Sequence, residues 1–285
     1  MGMNSQNMHF DHIREAAAVV KTRFPQIPTV AILTGTGLGD IHRFLTNTQT
    51  LSYAEIPYFP IPTVESHIGS FSLGFMNQFP VFLLNGRAHL YEGFSSKEVT
   101  FSIRLLQALN IKTLILTNAA GGIGDTVQTG DILLITDHIN LTGENPLVGV
   151  APEEWGDRFP DMAFVYDQQL LLVAEEIARK NQLPICKGIY CGLKGPSLET
   201  PAEVRYLKTI GGNAVGFSTV LEAIVGVAAN MKILGLSAIT NKHTPDAPQK
   251  TSLEEVITAA GKIAPAITTL LSNLLTQLSS NNLGK

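Results

Sequence analysis

Short apolar segments rich in β-branched residues alternate with helical segments along nearly the whole chain. Strands are predicted at or within residues 29–33, 71–76, 81–86, 113–116, 131–143, 184–192, 212–219 and 232–242. Helices are predicted over residues 9–24, 96–110, 167–182 and 201–210, after Thr219, and from Ser252 to about Leu275. This alternation is typical of an α/β protein whose strands are buried on both faces. No repeat or Pro/Ser-rich linker divides the 285 residues, so we expect one domain over residues 1–285, with flexible ends at 1–8 and 277–285.

The charge and hydropathy of the chain argue against several classes of protein. A formal net charge of −4 and a pI near 6.0 argue against a nucleic acid as the main partner. Residues 1–12 lack the apolar core of a signal peptide. Residues 223–240 are mostly apolar, but Asn230 and Lys232 interrupt them, which indicates a buried helix and strand rather than a membrane span. We therefore expect a cytoplasmic protein with no membrane partner.

The two cysteines, Cys186 and Cys191, lie five positions apart on one predicted strand. Successive side chains of a strand point to opposite faces, so these two thiols face opposite sides and are not expected to pair. Free buried thiols also fit a reducing compartment.

Polar residues fall repeatedly where an apolar strand ends. Six such loops are "GTGLG", "GRAHLYEG", "TNAAGG", "GPSLET", "VGFST" and "ITNKH". Ligands of α/β folds bind at the carboxyl ends of strands, so we expect these loops to converge on one pocket.

The glycine-rich loop at residues 35–39 does not match a nucleotide-binding fingerprint. The third glycine comes one position early for Gly-x-Gly-x-x-Gly, and no Gly-Lys-Ser/Thr follows. A turn of free amides beside the Thr36 hydroxyl can cradle an anion, or it can be a simple tight turn. Both interpretations stay open at this point.

Residues 86–93 place Arg87, His89 and Tyr91 at alternate positions, so an extended backbone would point all three the same way. Arginine suits a bidentate grip on phosphate or carboxylate, and Ser218 supplies a further hydroxyl. The alternative is a salt-bridged arginine beside a core histidine. The scattered histidines predict no metal site, and no Gly-x-Ser-x-Gly elbow is present.

Glu199 stands just before a predicted helix start. Thr200, Pro201 and Glu203 have the pattern of an N-cap, a first-turn proline and a capping box. Glu199 could therefore favour the helix dipole, or it could be held on a shaped loop to bind a ligand.

The motifs "GRAHLYEG", "TNAAGG", "GPSLETPAEVRYLKTIGGNAVGFSTVLE" and "ITNK", in this order and spacing, resemble the trimeric purine nucleoside phosphorylases, which include the inosine-guanosine and xanthosine phosphorylases. The resemblance runs from about Thr29 through the last helix. It implies a single-domain nucleoside phosphorylase fold with a mixed, twisted central β-sheet flanked by helices. It also implies a homotrimer, with inorganic phosphate as co-substrate and no cofactor or metal.

The family's functional residues can be placed on matching positions of this chain. Phosphate binding is implied for Thr36, His67 (on a mobile loop), Arg87, His89, Ala119 and Ser218. Ribose contacts are implied for His89, Tyr91 and Phe217, for Phe159 from a neighbouring subunit, and for the position of Leu253. Purine contacts are implied for Ala120, Gly121, Leu198, Glu199, Val215, Thr240, Asn241 and Lys242. His89, Glu199 and Asn241 are the implied catalytic residues.

These assignments imply phosphorolysis of 6-oxopurine (2′-deoxy)ribonucleosides, such as inosine, guanosine or xanthosine, in purine salvage. The Glu199 carboxylate would accept the N1–H of the base, and Asn241 would hydrogen-bond N7 and O6 as the purine leaves. Such bonds strengthen in the transition state and raise turnover. Adenine lacks both the N1–H and O6, so this pair should reject it.

Four positions depart from the family's usual pattern. Leu198 replaces Phe, Phe217 replaces Met, and Leu221 stands where Pro is common. Leu253 replaces the histidine that bonds the ribose 5′-hydroxyl, which favours a 5′-modified substrate such as 5′-methylthioinosine unless His243 or water serves that hydroxyl. The remaining alternatives are a catalytically degenerate nucleoside-binding protein and a nicotinamide dehydrogenase.

Overall fold

The computed structural model describes residues 5–64, 67–149 and 152–280. Its α-helices are α1 (Ser5–Arg23), α2 (Ser96–Val99), α3 (Phe101–Ala108), α4 (Gln168–Lys180), α5 (Pro201–Thr209), α6 (Val220–Ala228) and α7 (Leu253–Ser280). Short 3-10 helices occupy Gly39–Phe44, Tyr53–Glu55, Leu90–Glu92 and Glu153–Trp155. The longer helices lie where apolar residues recur at helical spacing in the sequence.

The strands are β1 (Val30–Thr34), β2 (Thr46–Ser52), β3 (Ser70–Met76), β4 (Phe79–Asn85), β5 (Thr113–Gly122), β6 (Ile132–Asn140), β7 (Ile185–Gly192), β8 (Ala214–Gly216) and β9 (Lys232–Lys242). They form one sheet in the order β2-β3-β4-β1-β5-β8-β7-β6-β9. β1 runs parallel to β4 and β5, whereas β3 is antiparallel to β4 and β6 to β9. The predicted α/β fold with a mixed central sheet is confirmed.

Strand β5 has two partners on the same side of the sheet. It pairs in parallel with β9 over most of its length, and its last residues, Gly121 and Gly122, pair antiparallel with β8. Because β8, β7, β6 and β9 are also paired in turn, these five strands form a closed ring of pairings. The ends of β5, β8 and β9 therefore lie side by side.

The core lies on both faces of the sheet. Ile32, Leu83, Ile115 and Leu234 on central strands have no solvent exposure, as expected for strands covered on both sides. Helices α1, α3 and α6 pack in sequence on one another, and α7 packs along β9 and α4. Within the described ranges, no helix has the length and apolar character needed to cross a membrane.

Several local predictions are confirmed. Thr200 caps α5, with Pro201 in its first turn and Glu203 completing the capping box, and the helix ends just before the Gly211-Gly212 pair. Strand β9 occupies the predicted residues 232–242. Cys186 and Cys191 are both free thiols.

Other boundaries differ from those predicted. Residues 117–122, expected as a loop, continue strand β5, because they find partners in both β8 and β9. The strand expected at 212–219 is limited to β8, and the helix expected at 96–110 is interrupted at Thr100. Residues 5–8 and 277–280, expected to be flexible, belong to α1 and α7, while residues 1–4 and 281–285 lie outside the described residues. The flexibility of the ends stays a prediction, as does the domain's extent.

Candidate active site

A cavity of about 560 Å³ lies at the ends of the central strands. All six polar segments identified in the sequence contribute side chains or backbone to it, so their predicted convergence is confirmed. Its lining comprises Gly35, Thr36, Thr63, Val64, His89, Tyr91, Asn118, Ala119, Ala120, Gly121, Pro196, Leu198, Glu199, Val215, Gly216, Phe217, Ser218, Thr240, Asn241, His243, Thr251, Ser252, Leu253, Val256 and Ile257.

A hydroxyl and two imidazoles form a connected group at this cavity. Thr36 Oγ1 lies 3.4 Å from His67 Nε2, and His67 Nδ1 lies 2.9 Å from the carbonyl oxygen of Arg87. The rings of His67 and His89 stack at 5.2 Å, and His89 stacks on Tyr91 at 4.7 Å. Burial, together with the nearby His89 and Arg87, lowers the pKa of His67 to about 4. His67 is therefore a neutral ring at pH 7.

Glu92 determines the orientation of His89. Its Oε1 accepts hydrogen bonds from the backbone N–H of His89 and from His89 Nδ1, both at 2.8 Å. Its Oε2 accepts from the N–H and the hydroxyl of Thr63 at 2.5 Å and 2.7 Å. Burial alone would raise the pKa of Glu92, but the bonds from His89 and Thr63 lower it to about 2. Because the ionised carboxylate holds a proton on Nδ1, His89 Nε2 is left for other partners.

Arg87 lies beneath the cavity rather than in its wall. Its Nη1 forms a 2.7 Å ion pair with Glu222, and both side chains are 1% exposed. Its Nη2 donates to the carbonyl oxygens of Leu33 at 2.9 Å and Thr117 at 2.6 Å. The expectation that Arg87, His89 and Tyr91 point the same way is therefore only partly met: His89 and Tyr91 both line the cavity, whereas the guanidinium of Arg87 is directed to Glu222 and the two carbonyl oxygens.

Ser218 is held at the cavity by the strained residue that follows it. Thr219 has a φ of +73°, a conformation that is costly for a β-branched residue. Asn118 Nδ2 donates to Thr219 Oγ1 at 2.8 Å, and the Glu222 carboxylate accepts from the Thr219 N–H at 3.0 Å. These bonds fix the start of α6 and leave the Ser218 hydroxyl at the cavity wall, 3.2 Å from Thr219 Oγ1.

A second polar group joins Glu199, Asn241 and His243. His243 Nε2 lies 3.4 Å from Glu199 Oε2 and 3.2 Å from Asn241 Nδ2. Asn241 Oδ1 in turn accepts from the Thr240 hydroxyl at 3.0 Å. The Glu199 side chain is only 2% exposed, so it is not a surface charge favouring the dipole of α5; Thr200 caps that helix instead. Burial raises the pKa of Glu199 and lowers that of His243.

An irregularity in strand β9 places two consecutive residues in the cavity wall. The pairing with β5 shifts between Ala120, which faces Ile239, and Gly121, which faces Asn241, so Thr240 is an extra residue. Lys242 then points to the other side, where its ammonium donates to the carbonyl oxygens of Gly124 and Val127.

The start of α7 forms an apolar part of the wall. Leu253, Val256 and Ile257 line the cavity there, and Val64 and Leu198 add further apolar side chains. Leu253 is 60% exposed, which places it at the rim.

Comparison with known proteins identifies the family. Residues 29–276 match the family model described as "Phosphorylase superfamily". A relative from Bacillus subtilis, "Purine nucleoside phosphorylase 1", is 43% identical over 94% of this chain and 98% of its own. The chain belongs to the purine nucleoside phosphorylase family. The predicted resemblance is thereby confirmed, as is the prediction of an enzyme of this type.

Solved structures agree with this assignment. A schistosoma purine nucleoside phosphorylase in complex with hypoxanthine is 30% identical, with a TM-score of 0.89 over 94% of this chain and 97% of its own. The Schistosoma mansoni enzyme in complex with adenosine is 29% identical, with a TM-score of 0.88 and the same coverage. This member of the purine nucleoside phosphorylase family therefore has the family's fold over nearly its whole length.

Most residues that the family resemblance implied lie together in this cavity. The exceptions are Arg87 and His67 beneath it, Lys242 on the far side of β9, and Phe159. Phe159 is 86% exposed on the segment between β6 and α4. Residues 65 and 66, which precede His67 in the loop expected to be mobile, lie outside the described residues. The individual roles of these residues stay predictions.

Two residues of the site were not identified correctly from the sequence. Glu92 was not singled out, although its spacing of three residues from His89 matches a side chain-to-backbone capping pair. His243 was considered as a partner for the ribose 5′-hydroxyl, but the structure places its ring between Glu199 and Asn241. Its position near Asn241 follows from the two-residue spacing on an extended chain.

Proposed function

We propose that this protein catalyses phosphate-dependent cleavage of 6-oxopurine nucleosides, giving the free base and (2-deoxy)ribose 1-phosphate for purine salvage. The observation that supports this most strongly is that one cavity carries two polar groups of different chemistry. One joins a buried carboxylate and an amide, Glu199 and Asn241; the other contains the hydroxyls of Thr36 and Ser218 with the imidazole of His89.

The first group suits the edge of a 6-oxopurine. An ionised Glu199 accepts from N1–H, and the Asn241 amide can bond N7 and O6. When the bond between C1′ and N9 breaks, negative charge develops on the base, and these bonds strengthen as it does. A relative in complex with hypoxanthine is consistent with this substrate class.

The second group suits an anion on the opposite side of the sugar. Phosphate oxygens would accept from Thr36, Ser218 and the backbone at Ala119, and a phosphate oxygen would attack C1′ as the base departs. Arg87, already paired with Glu222, would support this site from beneath through the loop that carries His89. Phosphate is a co-substrate in this scheme, and we propose that no cofactor or metal is needed.

A homotrimer is part of the proposal because the chain exposes apolar side chains on one segment. Val148, Phe159 and Phe164 are 72%, 86% and 77% exposed between β6 and α4. Large exposed apolar side chains grouped in this way are typical of a contact surface. Phe159 would then complete the ribose site of a neighbouring copy. The cytoplasmic location also stays a prediction.

The first experiment measures free base from inosine, guanosine, xanthosine and adenosine, each with and without phosphate. We expect release from the 6-oxopurine nucleosides only when phosphate is present, and little from adenosine. Glu199→Gln should lower kcat/KM for inosine by about a hundredfold, because it removes a buried charged acceptor that is used most in the transition state. Glu98→Gln is the matched control, since it lies on the surface and glutamine preserves its capping box with Ser95.

Other outcomes would change the conclusion. Base release without phosphate would indicate a hydrolase, and phosphate-dependent release from adenosine at the rate of inosine would remove the 6-oxopurine preference. Binding of nucleosides with no release under either condition would favour the degenerate binding protein.

A second candidate substrate class is favoured by the apolar wall at α7. Leu253, Val256, Ile257 and Val64 offer no hydrogen bond to a 5′-hydroxyl, and His243 is engaged with Glu199 and Asn241 instead. A 5′-alkylthio group would bury apolar surface there. Comparing 5′-methylthioinosine with inosine in wild type and Leu253→His tests this: a 5′-modified preference that the histidine variant reverses supports it, and an unchanged ratio contradicts it.

A further inference from the structure

The His243 ring is placed by the backbone on which it stands. The His243 N–H donates to the carbonyl oxygen of Gly122 at 2.8 Å, so the chain continues the pairing between β9 and β5 for one residue beyond the strand. The ring then lies directly over Gly121, where a Cβ atom would come within 2.4 Å of Nε2. The absence of a side chain at Gly121 is therefore what admits an imidazole at this depth.

One nitrogen of this ring, Nε2, lies between a hydrogen-bond acceptor and a hydrogen-bond donor. Nε2 lies 3.4 Å from Glu199 Oε2, an acceptor when ionised, and 3.2 Å from Asn241 Nδ2, a donor. A neutral imidazole nitrogen carries either a proton or a lone pair, so it can satisfy only one of them at a time. The His243 side chain is 15% exposed and Glu199 is 2% exposed, so water competes little with this choice.

We propose that His243 is a positioning residue that keeps Glu199 ionised, by donating from Nε2 to Oε2, and thereby selects 6-oxopurines over 6-aminopurines. This inference rests on the proposed function. An ionised Glu199 can only accept, which suits N1–H of a 6-oxopurine; a protonated Glu199 can donate, which suits the N1 lone pair of a 6-aminopurine. The base preference therefore depends on which proton state His243 enforces.

A fully bonded arrangement exists for the state in which Nε2 carries the proton. Rotating the Asn241 amide by 180° turns Nδ2 towards Thr240 Oγ1, which can accept from it. The Thr240 hydroxyl then donates to the carbonyl oxygen of Ala120, 3.3 Å away. Asn241 Oδ1 then takes the place of Nδ2 beside the imidazole, so Nε2–H lies between two acceptors, Asn241 Oδ1 and Glu199 Oε2, and both can share it.

The other side chains around Glu199 oppose its ionisation or do not reach it. Burial raises the pKa of Glu199, a hydrogen bond from its own backbone N–H lowers it, and the Glu203 carboxylate on α5 raises it further. The Cys191 thiol on β7, whose own pKa is raised by burial and by the charge of Glu199, supplies no cation. The Lys242 ammonium is turned towards Gly124 and Val127. Among the described residues, His243 is the basic side chain with a nitrogen within hydrogen-bonding reach of the Glu199 carboxylate, at 3.4 Å.

The test compares two substitutions of His243, one that removes the hydrogen-bond donor to Glu199 and one that keeps a donor there. His243→Leu removes both ring nitrogens, whereas His243→Gln supplies an amide that can donate to Glu199 without titrating. His12→Leu, at a histidine of α1 stacked on Tyr58 and away from the cavity, is the control. We measure kcat/KM for inosine and adenosine from pH 5.5 to 8.5 at saturating phosphate.

We expect His243→Leu to lower kcat/KM for inosine about tenfold on the acid limb of the profile, the equivalent of one pKa unit, and by less where Glu199 is ionised in both proteins, with little change for adenosine. The acid limb of the inosine profile should move about one unit to higher pH, because losing a donor raises the pKa of a carboxyl group. His243→Gln should keep most of the wild-type kcat/KM for inosine and most of the wild-type position of the acid limb. An equal fall for both substrates with an unshifted profile would overturn the proposal.

A direct titration keeps this inference separate from the proposed function. With 13C-labelled glutamate, the carboxyl resonance of Glu199 is assigned by its loss in Glu199→Gln and followed against pH. A higher midpoint in His243→Leu than in wild type supports the role of His243 even if wild type releases no base from any nucleoside. Identical midpoints refute it, whatever the activity.

Discussion

Replacing Glu92 with glutamine tests how the cavity holds its catalytic histidine. The Glu92 carboxylate accepts four hydrogen bonds, two at Oε1 from His89 and two at Oε2 from Thr63. A glutamine has one acceptor oxygen, so it can keep one pair of donors only. If it keeps His89, its amide nitrogen faces the Thr63 N–H, which is a donor and cannot accept.

The expected cost can be estimated from these contacts. Both side chains of the His89–Glu92 pair are nearly buried, at 6% and 2% exposure, so water does not compensate when a neutral amide oxygen replaces the carboxylate there, whereas the exposed Thr63 N–H can bond water. Weakening a charge-assisted hydrogen bond in this pair costs about 1–2 kcal/mol. For a chain of this size we expect the melting temperature to fall by about 2 °C or more.

Activity should fall as well, and the change should appear mainly in the KM for phosphate. A neutral amide oxygen holds the proton on His89 Nδ1 less firmly than a carboxylate does, so Nε2 is presented in mixed states and KM for phosphate should rise severalfold more than KM for inosine. The control is Glu98→Gln. Glu98 accepts from Ser95 N and Oγ in the same geometry, at 2.8 Å and 2.7 Å, but on the surface. That substitution should cost less than about 0.5 kcal/mol.

The pH dependence supplies an independent check. The pKa of Glu92 is lowered from 4.5 to about 2, so its contribution is complete above pH 4.5 and is lost as the pH falls towards 2. Glutamine does not titrate. The difference in stability between wild type and Glu92→Gln should therefore narrow as the pH falls below 4.5. Equal melting temperatures at pH 7, or a difference that stays constant down to pH 3, would refute the reasoning.

Three further substitutions test other parts of the site. Gly121→Ala would place Cβ 2.4 Å from His243 Nε2 and displace the ring, so discrimination between inosine and adenosine should fall, as measured by the ratio of their kcat/KM values. Phe159→Ala should leave the melting temperature nearly unchanged yet lower kcat/KM for inosine about tenfold if the ring completes a neighbouring site; Leu172→Ala, at an exposed apolar side chain of α4 outside that segment, is the control. Lys242→Met should lower the free energy of unfolding by about 1–2 kcal/mol, because the carbonyl oxygen of Val127 loses the ammonium donor and that of Gly124 keeps only the Val127 N–H, with kcat/KM unchanged; a large kinetic effect would instead support the purine contact implied by the family.

The sequence predicts the elements better than it predicts their pairing. β9 is recognisable as an apolar, β-branched run, and the capping residues of α5 identify its first turn. The closure of the ring between β5 and β9 depends on pairing residues more than a hundred positions apart, for which local patterns carry no information. The same pairing makes residues 117–122 a strand, although their small and polar residues resemble a loop.

In the same way, the sequence predicts where the site lies better than it predicts the contacts within the site. Polar residues after apolar strands predict that six segments converge, because strand ends meet at one edge of a sheet. Neither the partner of Arg87 nor its direction follows from residues 86–93, since Glu222 lies 135 positions away. Residues 86–93 contain no sign of Glu222, so an exposed, ligand-binding arginine is the simpler interpretation of that motif. In the structure the charge of Arg87 is already paired with Glu222 below the cavity.

The base end of the cavity depends on one extra residue in a strand. Strict alternation along β9 would place Thr240 and Asn241 on opposite faces, so one of them would be withdrawn from the cavity. Because Thr240 is unmatched in the pairing with β5, both residues line the wall, and the alternation resumes with Lys242 outward and His243 inward. The hydroxyl, the amide and the imidazole that surround Glu199 are therefore brought together by a backbone irregularity. A sequence pattern that assumes strict alternation along β9 therefore places at least one of these three residues on the face away from the cavity.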